Sequence, residues 1–256
     1  MKLRGYLAVA VVCLALLAAD PVERFLLGPW TWLRPSRRIA ILSPWLQALA
    51  WLVTRPIAAI GGAHFPPSPR VPFEPGVLIV MNHQSLFDIP ILVKSLRPGY
   101  PRILTRKRYA RRIPLASHLL RLYQYPIVDP QGKVSDLRRS LAELDEAART
   151  SEVPLALFPE GTRTKDGEIG GFRRKGMEVI LGARPWRVYV LVADGFWHVA
   201  KFKNFIGGVS ELRGRVELAG VLHWTDPEAD PGPFIDEVRS IMVQGLADIR
   251  AEAPVA

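Results

Sequence analysis

The chain has 256 residues, 49% of them apolar, which is enough for one sizeable core and too apolar for a disordered chain. Its 34 Lys and Arg outweigh 24 Asp and Glu, a formal charge of +10 that suits an anionic partner: nucleic acid, acidic lipid headgroups or a phosphorylated substrate. Nucleic acid is set aside, because the basic residues are dispersed or lie beside Trp-rich and Leu-rich stretches, without zinc-finger spacing or a basic-zipper region.

In chain order, Met1-Lys2-Leu3-Arg4 precedes a nearly pure apolar stretch, 6–19, that ends at Asp20-Pro21. As a helix it measures about 21 Å, short of a hydrocarbon core of roughly 30 Å. A secretory signal peptide has the same basic start, but the chain stays apolar and aromatic afterwards, through Trp30, Trp32, Trp45 and Trp51. The single cysteine, Cys13, sits among apolar neighbours and is expected to be a buried, inert thiol. Ser43-Pro44 reads as an N-cap followed by proline at the first helical position. Lys2 and Arg4 lie on one flank of the first apolar stretch, and Arg24, Arg34, Arg37 and Arg38 on the other. The positive-inside tendency opposes translocation of either flank. We expect residues 3–60 to form a helical pair that dips into, or lies along, one leaflet with both ends cytoplasmic; the alternative is one ordinary span. The proline-rich connector 66–75 sets the expected boundary, with a membrane-associated segment over 1–64 and a second domain over 65–256.

From residue 76 the pattern alternates. Strands are expected at 77–81, 102–105, 124–129, 155–158, 188–192 and 215–219. Helices are expected at 86–96, 115–123, 136–149, 174–181 and 233–250, with Gly182 as the stop of the fourth. The fold class is therefore α/β, a mixed sheet flanked by helices with an N-terminal membrane-associated helical pair. Leu137, Leu141, Leu144 and Ala148 share one helix face and read as core packing.

The chemistry concentrates after two of these strands, at the carboxyl ends where open α/β sheets place ligands. Asn82-His83-Gln84-Ser85-Leu86-Phe87-Asp88 follows the first. A histidine and a carboxylate can act as general base and orienter. Five residues apart on a regular helix they would diverge by about 140°, so His83 belongs in the turn and Asp88 in the first helical turn. The structural reading of the same residues is a capping box, with Asp88 reaching back to the Ser85 amide. The chain has no Gly-x-Ser-x-Gly elbow and no catalytic-looking cysteine, so the substrate is the natural source of a hydroxyl nucleophile. Pro159-Glu160-Gly161-Thr162-Arg163 follows the strand at 155–158. Gly161 permits close backbone approach to a ligand, and Arg163 can hold a phosphate through two parallel hydrogen bonds. The cluster Arg173-Arg174-Lys175-Gly176 extends that basic wall or merely starts a surface helix, and Lys165-Asp166-Gly167 reads as a solvated turn. The scattered histidines show no zinc spacing, and no metal is expected.

These two blocks, in this order, resemble the 1-acylglycerol-3-phosphate acyltransferase family of glycerolipid acyltransferases, over roughly residues 65–225. The resemblance implies His83 as general base on an acceptor hydroxyl, Asp88 as its orienter, and Glu160, Gly161 and Arg163 on the glycerol phosphate. It also places Asn82, Ser85, Arg106, Lys107 and Thr162 among the substrate-binding residues. The implied reaction moves a fatty acyl group from acyl-CoA or acyl-carrier protein to 1-acylglycerol-3-phosphate, without a cofactor, at the inner membrane with the catalytic domain facing the cytoplasm. Another lysolipid acceptor, such as a lyso-aminolipid, or a non-catalytic lipid-binding role are the alternatives. Two departures bear on the acceptor: Ser117 stands where the family usually has glycine, and the strand at 188–192 lacks the usual proline.

Overall fold

The computed structural model describes residues 2–65, 67–110, 113, 115–199 and 208–252. The N-terminal segment holds α1 (Lys2–Val22), a π-helical turn (Glu23–Leu27), α2 (Gly28–Leu33) and α3 (Arg38–Ala59). Then follow β1 (Val77–Met81), α4 (Asp88–Ser95), β2 (Arg102–Ile103), β3 (Thr105–Arg106), α5 (Ala116–Leu122), β4 (Ile127–Val128) and α6 (Val134–Thr150). The chain closes with β5 (Leu155–Leu157), α7 (Arg174–Ala183), β6 (Trp186–Asp194), β7 (Arg215–Trp224) and α8 (Pro231–Ala251).

The main sheet has the order β2-β5-β1-β6-β7. β1 lies between β5 and β6 and is parallel to both, β2 is parallel to β5, and β7 runs antiparallel to β6. The expected mixed sheet flanked by helices is the architecture observed. Every residue of β1 is buried, as befits a continuous apolar run in a central strand covered on both faces. Alternation assigns the faces. Val77, Ile79 and Met81 join Tyr189, Leu191 and Ala193 of β6 against the helices α1, α3, α4 and α5. Leu78 and Val80 join Val188, Val190 and Val192 against α6, α7 and α8. The N-terminal helices therefore cover one sheet face, sharing a buried cluster with residues beyond the proline-rich connector.

Several local expectations are corrected. The first helix does not stop at Asp20-Pro21. Pro21 sits inside α1, and the missing N–H is followed by a widened π turn that carries the helix on to Leu33. Ser43 is not an N-cap: α3 begins at Arg38, and the Ser43 hydroxyl donates to the Ile39 carbonyl one turn back (2.7 Å). Gly182 lies within α7 rather than after it. The strand expected over 102–105 divides into β2 and β3, which belong to different sheets; β3 pairs with β4 in a small two-stranded sheet. Cys13 is exposed. Its apolar neighbours Leu14 and Leu17 are exposed too, so the apolarity of this helix is not that of a core. Residues 3–33 form one helical run, long enough to cross a membrane by length and composition, and its most apolar 18-residue stretch has mean hydropathy 2.0 with only 28% of it buried.

Glu23 is fully buried at the π turn. It accepts from Trp45 Nε1 (2.9 Å) and faces His118 Nδ1 (3.6 Å), which ties the N-terminal helices to α5.

Candidate active site

Because β1 and β5 are parallel neighbours, with Val80 opposite Leu157, the loops that follow them leave the sheet side by side. The first carries residues 82–88 and the second 158–163, so the two segments about 75 residues apart in sequence (the spacing from residue 83 to residue 160) meet at one place.

Asp88 opens α4 and is fully buried. Its Oδ2 accepts from the backbone N–H groups of Gln84 (2.6 Å) and Ser85 (2.8 Å) and lies 2.7 Å from His83 Nδ1. The expected bond to the Ser85 amide is present, but α4 begins at Asp88 with Phe87 as its N-cap, so the arrangement is not a capping box; the carboxylate ties the loop back on itself and holds the histidine. An acceptor at that distance fixes the tautomer, with Nδ1–H donating and Nε2 left as the basic nitrogen. The imidazole stacks on Phe158, ring centroids 4.3 Å apart and 22° between planes, and its main chain is held from the second loop. The His83 N–H donates to Glu160 Oε1 (2.9 Å), and Thr164 N–H donates to the His83 carbonyl (2.8 Å).

His83 opens onto a cavity of about 420 Å³. Its apolar side is formed by Ile89, Leu104, Val128, Leu137, Leu141 and Leu157. Leu137 and Leu141 are thus more than core packing, although Leu144 and Ala148, deeper on the same face of α6, are buried. The lining also carries Arg106, Arg108, Arg163, Arg173, Arg174 and Lys175, and among the described residues no Asp or Glu lines the cavity. Arg174 and Lys175 are ion-paired with Asp236 and Glu178. Arg106 differs: its Nη2 is buried without a hydrogen-bond partner. Burial pushes its guanidinium pKa down, and the neighbouring charges of Arg173 and Arg108 add to that. Gly161 adopts φ +64°, and a Cβ there would lie 2.6 Å from Arg173 Cδ and 3.5 Å from Arg106 Nη2. Glycine is what lets the Arg173 side chain close over this loop, beside Arg106.

Of the expected substrate-binding residues, Arg106, Gly161, Thr162 and Arg163 line the cavity with His83. Four others do not line it. Asn82 is buried with both ends of its amide on the main chain of Ala193, donating from Nδ2 (2.8 Å) and accepting at Oδ1 (2.7 Å), so it staples β1 to β6. The Ser85 hydroxyl is buried and accepts from Phe87 N–H (3.0 Å). Glu160 divides its two oxygens between the N–H groups of His83 and Gly170 (3.0 Å). Desolvation raises its carboxyl above the ordinary 4.5, against the lowering effect of those two bonds. Lys107 turns away from Arg106, as the next side chain after an extended residue does, and pairs with Asp129 (2.9 Å). The residues that sequence reasoning left out are Phe158 beneath the imidazole and the apolar wall from α6. Both follow apolar periodicity, which cannot separate a cavity wall from a core.

The chain is similar to known proteins. A protein-family model described as Acyltransferase matches residues 63–191, half of the chain. A 1-acyl-sn-glycerol-3-phosphate acyltransferase of Helicobacter pylori is 37% identical over 100 residues, which span 38% of this chain and 39% of that protein. The human 1-acyl-sn-glycerol-3-phosphate acyltransferase alpha is 26% identical over 183 residues, 70% of this chain and 61% of its own length. The crystal structure of the 1-acyl-sn-glycerophosphate acyltransferase PlsC from Thermotoga maritima superimposes with a TM-score of 0.61 over 99% of this chain and 96% of that one, at 15% identity, a likeness of fold. The matched segments thus cover 39% and 61% of those two curated relatives. With a family match that contains both loops, β1, β5 and most of β6, this chain belongs to the Acyltransferase family.

Proposed function

We propose that this protein transfers a fatty acyl group from a thioester donor, acyl-CoA or acyl-carrier protein, to the free hydroxyl of 1-acylglycerol-3-phosphate. One observation carries the reading: a histidine whose Nδ1 is held by a buried carboxylate opens onto a cavity walled by arginines and free of carboxylates among the described residues. His83 Nε2 takes the proton of the acceptor hydroxyl as its oxygen bonds to the thioester carbonyl carbon. The tetrahedral intermediate then expels the donor thiolate, the carbon–sulfur bond breaks, and the imidazolium returns the proton to sulfur. Asp88 holds the ring orientation and stabilises its charge, while Arg106, Arg163 and Arg173 receive the acceptor phosphate. The apolar side of the cavity holds hydrocarbon. Asn82, Ser85 and Glu160 fix the loops rather than touch substrate.

The exposed apolar face of α1 and α2, with arginines on both flanks, supports a seat in the inner membrane with the catalytic face toward the cytoplasm. In a Cys13→Ser background, single cysteines at the exposed positions Ser36 and Arg70 are expected to react with an impermeant reagent from the same side of the bilayer. Labelling of position 36 from the opposite side alone would defeat the one-leaflet arrangement.

The direct test is thiol release from acyl-CoA by purified protein across a panel of lysolipids, with His83→Ala as the paired control. Acceptance of 1-acylglycerol-3-phosphate, lost in His83→Ala, is expected. Preference for a lyso-aminolipid would move the acceptor, and undiminished turnover in His83→Ala would remove the base.

A further inference from the structure

Outside the family-matched segment, one side chain of the last helix reaches back to the end of β6 and to the turn that follows the second loop, and each of these is bonded to the first loop. Arg250 of α8 donates from Nε to Asp194 Oδ2 (3.1 Å) and from Nη2 to Asp194 Oδ1 (3.4 Å). The same guanidinium donates from Nη1 to Glu168 Oε1 (2.7 Å) and from Nη2 to the Gly167 carbonyl (3.1 Å). Its four N–H contacts thus close on two different pieces of chain, a planar fork that lysine cannot reproduce.

Each piece leads to His83. In the first, Asp194, at the end of β6, accepts from Gln84 Nε2 (3.1 Å). The Gln84 side chain is fixed at its other end by Phe196 N–H (2.9 Å), and the Gln84 main-chain N–H donates to Asp88 Oδ2, the atom that holds His83. In the second, Gly167 and Glu168 belong to a tight turn. Thr164 Oγ1 accepts from Gly167 N–H (3.1 Å), and Asp166 Oδ1 accepts from the Thr164 hydroxyl (2.9 Å) and from Glu168 N–H (3.1 Å). The first residue of that turn, Thr164, gives its N–H to the His83 carbonyl. One arm ends on the carboxylate that orients the imidazole, and the other on the backbone that carries it.

We propose that Arg250 is a positioning residue for the His83–Asp88 pair, clamping the end of β6 and the turn after Arg163 so that both loops hold the imidazole in register with the arginine wall. The assignment rests on the general-base reading of His83. Asp194 is half-buried between these partners. Burial works to raise its carboxyl, and the bonds from Arg250 and Gln84 outweigh it, holding the group below its ordinary 3.8. Removal of Arg250 strands that charge beside Gln84, and misplacement of a base by about 1 Å costs on the order of 10²-fold in rate.

The test is steady-state kinetics of the full-length protein in detergent or vesicles, using acyl-CoA and 1-acylglycerol-3-phosphate. Arg250→Ala is expected to lower kcat by about 10–100-fold while both KM values stay within roughly threefold. Arg250→Lys should recover part of kcat, and the double variant Arg250→Ala/Asp194→Asn should be no slower than Arg250→Ala, since the arginine acts through that carboxylate. Arg215→Ala is the control for loosening of the helix end: Arg215 holds the Ile249 and Glu252 carbonyls without reaching either loop, and its loss should leave kcat intact. An unchanged kcat in Arg250→Ala, a loss confined to KM, or an equal loss in Arg215→Ala would each overturn the assignment. Should Arg250→Ala fail to fold, Arg250→Lys alone decides, a wild-type kcat there being fatal. His83→Ala in the same series separates the two ideas, because its full activity would remove the base itself, whereas its inactivity beside a normal Arg250→Ala would remove only the clamp.

Discussion

The loop from Asn82 to Asp88 leaves none of its buried side-chain nitrogens or oxygens without a hydrogen bond. In the basic part of the cavity lining, by contrast, Arg106 brings a guanidinium nitrogen into a buried position with no partner, beside the like charge of Arg173. A general base must present one nitrogen in one orientation, and a saturated network gives it that rigidity. A recognition surface for an anion works the other way. Donors left unsatisfied in the unliganded protein are repaid by the ligand, so stability is given up for binding.

The largest expected effect lies on the saturated side. His83→Ala should lower kcat/KM by roughly 10²–10⁴-fold, and Asp88→Asn by a comparable factor, because an amide at that position no longer selects the Nδ1–H tautomer. Asp88→Asn should also lower Tm, since the Gln84 and Ser85 amides lose a charged acceptor. Activity within a few fold of wild type in either variant would break the contrast. In the basic lining, Arg106→Leu should raise the acceptor KM by about 10–100-fold, the worth of a charge-assisted contact, while Tm stays level or rises. A clear fall in Tm would show that Arg106 holds the fold and not an anion.

Smaller still is a pH effect between the two sides. Glu160 has a folded-state carboxyl raised above its ordinary value, chiefly by desolvation. The folded state therefore binds more protons than the unfolded state between the two titrations, and stability falls as pH rises through that window. The contribution is fully present below the unfolded-state pKa and lost above the folded one. Compared with Glu160→Gln, the wild-type Tm should gain on acidification from neutral pH into that window. A difference that is flat with pH would remove the desolvated carboxyl from this role.

The amino-acid sequence by itself determined the two chemical loops, the strands that precede them and the class of fold. These depend on local quantities: the identity of reactive residues, an unbroken apolar run in Val77–Met81, and the period of α6. It also showed that the N-terminal helices are too apolar and too basic at their flanks for an ordinary soluble surface. What only the tertiary structure decided are the relations across the sheet. That β1 and β5 are neighbours, with β6 on the other side of β1, is set by how the whole chain buries its apolar area, and no local window contains it. The same non-local choice turned Asn82 toward Ala193 instead of the cavity, gave Leu137 and Leu141 a cavity to line, and left Cys13 outside the core. It also brought Arg250, more than 160 residues beyond His83 in the chain (positions 250 and 83), into the hydrogen-bonded frame of the His83 loop.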